Sequence, residues 1–130
     1  NVAALREVCA RVVRHDDAFA VPFTWFDEVG EHSSEMGHAG PLETSLLRHA
    51  NPETVHADRL DEAAEGASDR WGDWQGGVNL AVDSDEFTEN GVVGDPRDSS
   101  ADLGETLADR AAEALCDLLD AVATRDPAPR

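Results

Sequence analysis

"EMGHAGPLETSLL", residues 35–47, sets His38 between Gly37 and Gly40 and then runs through Pro41 into a helix-like stretch. Proline is tolerated in a first helical turn, where its missing N–H has no helical partner. The spacing therefore predicts a helix opening near Pro41. Glycine admits backbone angles and close approaches that other residues resist, so substrate is expected to approach the main chain at Gly37, Ala39 and Gly40. The first N–H groups of the helix, at its positive dipole end, offer a place for developing negative charge. Glu43 falls in the first turn, where a carboxylate suits the dipole and can orient an imidazole or a bound water. A histidine beside such a cradle fits acyl transfer or amide hydrolysis. The plainer reading is a loop histidine and a capping glutamate.

Outward from this point, the chain alternates helical and strand-like patterns. Val2, Leu5, Val8, Cys9 and Val12 recur at helical spacing, with Asn1 suited to cap them. "AFAVPFTWF", residues 18–26, is an apolar run of strand length in which Pro22 removes a ladder donor, predicting an edge, a bulge or an early end. Helix then strand is half of a parallel β/α unit. Residues 27–40 read as loop, and "NPETV" opens a further turn behind Asn51. From Asp58 to Gly77 no clear period emerges, so a long loop is expected there; its Trp71 and Trp74 fit either a subunit contact or a cover for the domain's own core. "VNLAV", residues 78–82, reads as a short strand. The clearest stripe is the last, Leu103, Leu107, Ala111, Leu115, Leu118 and Val122, with Ser99 or Ser100 as cap.

A chain of 130 residues makes one domain. Its 28 acidic residues face ten basic ones, all arginine, for a net charge of −18. Such a surface repels itself in dilute buffer, whereas molar salt shortens the screening length to about 3 Å. The composition is that of a protein from a salt-loaded cytoplasm, and it argues against nucleic acid as a partner, since phosphates would meet like charge. No apolar run approaches the roughly 20 residues of a membrane helix, so no membrane partner is expected. Cys9 and Cys116 form no C-x-x-C pair and read as small core residues. His15, His32, His49 and His56 lack the spacing of a local zinc pair and read as surface residues. Asp95 and Asp98 are placed to cap the last helix or orient its approach.

"HAGPLETSLL" resembles the H-A-G-x-x-E-T-S segment of the creatininase family of metal-dependent amidohydrolases. "ENGVVGDPRDSSADLGETL", residues 89–107, is similar to that family's G-x-x-G-D-P segment and the helix after it. Asn1 and the helix behind it resemble the end of the family's N-G-H-G-G-N motif. The resemblance implies an α/β fold, three-layer α/β/α with a mainly parallel sheet. Residues 1–124 would be the C-terminal part of one such domain, and 125–130 a flexible tail. It implies hydrolysis of a small-molecule amide at a cyclic amide or formamide-type C–N bond, by water activated at two divalent ions (zinc, manganese or iron), and a homo-oligomer. His38 matches the histidine that moves protons and Glu43 the glutamate of the E-T-S segment. No metal ligand is expected in this chain: the E-x-H pair, the aspartate and the motif histidine would lie upstream of Asn1, leaving 1–130 alone inactive. Trp25 and Phe26 fall where relatives carry an aromatic at a strand end, which makes Trp25 a candidate pocket residue, although burial in the core is the commoner fate of such side chains. Pro41 departs from the glutamate many relatives carry before E-T-S. The alternative function is a non-catalytic creatininase-like fold serving as a subunit or interaction domain.

Overall fold

Helix α1, Val2–His15, follows the rhythm of Val2, Leu5, Val8, Cys9 and Val12, and ends on Arg14 and His15, which suit the negative end of its dipole. The computed structural model describes residues 2–125, the side chains of Ser33 and Ser34 excepted. The Asn1 cap and tail residues 126–130 lie outside that range; Arg125 is described, and its guanidinium sits 5.0 Å from the centre of the Phe19 ring. Helix α2, Pro41–Ala50, starts where the proline predicts, behind Gly40 as N-cap. Helix α3, Leu60–Glu65, lies in the stretch expected to be loop; at six residues it is too short for a 3.6-residue period to show. Helix α4, Ala101–Ala123, is capped by Ser100, whose hydroxyl accepts the Leu103 N–H at 3.1 Å.

The core lies where α2 crosses the first half of α4. Val29, Leu42 and Leu107 are at most 1% exposed, and Trp25, Met36, Leu46 and Leu103 pack around them. Gly104 allows the crossing, because a Cβ there would overlap the Ser45 carbonyl and stand 2.8 Å from the His49 Cβ. Polar bonds pin the same contact: the Ser100 N–H donates to the Ser45 hydroxyl (3.1 Å) and the Arg48 guanidinium to the Ser99 carbonyl (2.8 Å). Arg110 donates to the Val29 carbonyl at 3.0 Å and ties the loop before α2 to α4.

The sheet differs from expectation. Among the described residues it is one antiparallel pair, β1 (Trp74–Gln75) and β2 (Val78–Asn79), joined through Gly76 and Gly77 at φ +55° and +83°. Positive φ at both central positions is what a tight hairpin turn requires. Residues 18–24 form no strand, and no parallel layer is present among the described residues. A strand needs a partner for its backbone groups; this segment finds no strand to pair with among the described residues, and Pro22 has no N–H to offer. Likewise, among the described residues, no other helix or strand packs on α1, and Leu5 and Val8 are about half exposed. Leu119 is uncovered on the far half of α4, and Cys116 is exposed there, contrary to its expected place in the core. No helix among the described residues is long and apolar enough to cross a membrane.

The arginines at Arg59, Arg97 and Arg110 pair with acids on the surface, where such pairs are worth about 0–1 kcal/mol each. They offset little of a net charge of −18. Stability is therefore expected to rise from 0.1 to 2 M KCl as repulsion is screened; relief of ~2 kcal/mol would raise the melting temperature by about 7 °C. Thermal circular dichroism over that range checks this, and a flat or falling midpoint would contradict it.

Candidate active site

The two motif segments, far apart in sequence, are bonded to each other. The His38 N–H donates to the Val93 carbonyl at 3.1 Å, and the Val93 N–H donates to the His38 carbonyl at 2.8 Å. Ser68 flanks Val93 on its other side, donating to Val92 at 3.0 Å and accepting from Gly94 at 2.8 Å. This bridge explains the glycines. A Cβ at Gly37 or at Gly40 would overlap the Val93 carbonyl oxygen, and one at Gly94, where φ is +93°, would lie 2.9 Å from Pro41 Cδ. The room expected for substrate at Gly37 and Gly40 is thus filled by the chain itself at the positions their side chains would take.

Ala39 adopts φ +50°, a left-handed conformation that costs a non-glycine residue energy. Both of its polar groups are held: its N–H donates to Glu43 Oε2 at 2.7 Å, and its carbonyl accepts the Thr44 hydroxyl at 3.1 Å. The same carboxylate oxygen lies 3.3 Å from His38 Nδ1. Glu43 therefore ties the Ala39 amide to the first turn of α2 and stands beside the imidazole. The helix mouth offers fewer donors than its sequence suggests, since the Ala39 N–H is engaged and Pro41 has none.

The imidazole is 60% exposed, with Glu43 on one side and Trp71 on the other. The His38 and Trp71 ring centres are 6.4 Å apart with planes at 84°, and Phe87 backs the indole at 5.3 Å. Sequence reasoning missed Trp71 as a neighbour of His38 and Phe87 as a neighbour of Trp71, because nothing local signals contacts between segments so far apart. Trp25 packs against the core cluster and meets Phe26 edge-on at 5.9 Å. His15, His49 and His56 are exposed, and His32 lies 3.2 Å from Glu35. Asp95 caps the short turn Pro96–Asp98 instead of α4. The Arg97 guanidinium and backbone N–H that bond its carboxylate hold it down to about 2.

Among the described residues no group of three or more His, Cys, Asp or Glu is placed to hold a metal. His38 and Glu43 supply only two donor side chains, one of them engaged with the Ala39 amide. The described residues thus do not fit the divalent ions that the family resemblance implies, and no chemical step here is assigned to one. What the arrangement can do is present an imidazole beside a carboxylate, open to solvent, at a corner walled by an indole.

No curated protein matches the chain. A solved structure from Bacteroides fragilis NCTC 9343, titled "Putative creatinine amidohydrolase", matches with a TM-score of 0.67 at 24% identity, over 98% of this chain and 51% of that one. The likeness is one of fold, and this chain spans about half the length of that protein. The profile of the creatininase family, described as creatinine amidohydrolase, matches residues 1–119. With that match covering nearly the whole chain and both motifs bonded through His38 and Val93, the chain belongs to the creatininase family.

Proposed function

We propose that this chain is part of an amidohydrolase that opens a cyclic amide or formamide-type C–N bond, with His38 as the proton carrier and Glu43 as its brace. The observation that carries the reading is the shared carboxylate oxygen, 3.3 Å from His38 Nδ1 and 2.7 Å from the Ala39 nitrogen. A carboxylate facing Nδ1 favours the tautomer with its proton there, leaving Nε2 as the acceptor. Water then attacks the carbonyl carbon as its proton passes to Nε2, and the carbonyl π electrons move onto oxygen. Collapse of that intermediate breaks the C–N bond, and Nε2 returns the proton to the departing nitrogen, giving a carboxylic acid and an amine. The three-layer α/β/α arrangement with its parallel sheet, the divalent ions and the homo-oligomer belong, in this reading, to the complete assembly, working in a salt-rich cytoplasm. The match to only half of the solved relative supports treating the residues described here as one part of that assembly.

The test is a panel of cyclic amides and formamides incubated with the complete protein in molar KCl, with amine release followed by chromatography. Turnover that is lost with His38 supports the reading. If no C–N bond is opened, the non-catalytic subunit reading replaces it; if turnover survives without His38, the histidine is not the proton carrier.

A further inference from the structure

We propose that Trp71, backed by Phe87, is a specificity wall that holds a flat, conjugated part of the substrate next to the scissile amide. The inference rests on the amidohydrolase reading and adds to it a residue no motif marks. Trp71 is 51% exposed, an unusual position for a ring whose burial is strongly favourable. Its plane stands at 84° to the His38 ring, so the two half-exposed rings make a corner of perpendicular walls. Phe87 at 5.3 Å supports the indole from a second segment.

The corner is held by polar bonds around the rings and not by burial of the rings. Gly72 is buried at φ +79°, where a Cβ would overlap the Asn79 amide. Asn79 Oδ1 accepts the N–H groups of Asp73 (3.0 Å) and Ala81 (3.1 Å), and the Leu80 N–H donates to the Asp73 carbonyl at 2.7 Å. Trp74 Nε1 donates to the Trp71 carbonyl at 2.6 Å. On the other segment, Glu86 Oε1 accepts from Val82 (2.7 Å) and Asp83 (2.8 Å) and fixes the turn that carries Phe87. An exposed aromatic face fixed in advance loses little freedom on binding, which is the condition for selective stacking of a planar group. A saturated ring of the same size is puckered and meets that face with less even contact.

Formanilide and N-cyclohexylformamide share a formyl C–N bond and differ in the planarity of the ring, so they serve as probes with the complete protein; because aniline is also the better leaving group, they are compared in KM and binding and not in kcat. The parent is expected to favour formanilide by about tenfold or more in KM and in binding, a preference of the size a stacked ring supplies. Trp71→Ala should erase that preference through KM, and Trp71→Phe should retain most of it. Binding of each probe, read from quenching of tryptophan fluorescence, is measured alongside. If a Trp71-dependent binding preference is present without turnover, the wall stands and the amidohydrolase reading fails. If both formamides are hydrolysed with equal KM, or Trp71→Ala keeps the difference in KM, the wall fails and the hydrolase stands. If neither probe binds, the wall is overturned as well.

Discussion

Replacing His38 with alanine is expected to lower kcat of the complete protein by about 10²–10⁴-fold, the contribution of a positioned general acid–base group. The ring is 60% exposed and packs on little besides Glu43 and Trp71, so folding stability should change by less than about 0.5 kcal/mol. Activity and stability are thereby separated in one variant. Because the ring faces solvent, its removal leaves an open notch, and added imidazole should restore part of the lost rate. Glu43→Gln is the companion change. It keeps an acceptor for the Ala39 N–H but removes the charge facing Nδ1, so its loss should be smaller than that of His38→Ala. Steady-state kinetics in molar KCl with and without imidazole, beside urea unfolding, checks the set. Unaltered kcat in His38→Ala would remove the histidine from the chemistry.

Gly104→Ala should destabilise the fold by about 2–3 kcal/mol, against the sign that helix propensity alone gives. In an exposed helix, alanine is favoured over glycine by about 1 kcal/mol. At this position the added methyl would overlap the Ser45 carbonyl and crowd the His49 Cβ, and forcing extra volume into a packed contact costs about 1–3 kcal/mol, occasionally more. To make room, α4 must draw away from α2, and that separates Leu42 from Leu107 in a core with few fully buried side chains. The Ser100–Ser45 bond and the Arg48–Ser99 bond lengthen with it. Urea unfolding at fixed salt measures the change. A variant more stable than the parent would show that the two helices do not approach so closely.

How much of this was legible beforehand depended on how local each cause is. Pro41 and Ser100 announce their helices within a few residues, and the 23 residues of α4 repeat their apolar spacing often enough to be unmistakable. The run at 18–26 has the composition of a strand, but a strand needs a partner that no local pattern supplies. Gly37 and Gly40 were legible as positions intolerant of a side chain. What fills the space, the Val93 carbonyl, comes from a distant segment, and only the fold reveals it. The same holds for Trp71, whose approach to His38 depends on a hairpin turn and an asparagine that ties it. Glu43 was legible as a first-turn carboxylate able to face an imidazole, and one of its oxygens lies near both the Ala39 amide and His38 Nδ1.

Helix α1 carries a further consequence. At 14 residues it sits at the length where a helix in water is only marginally stable, and among the described residues no helix or strand shields Leu5 or Val8. Its amide protons should therefore trade with deuterated solvent far faster than those around Leu42 and Leu107. Any molecule that docks along that bare stripe would announce itself first as a slowing of this exchange.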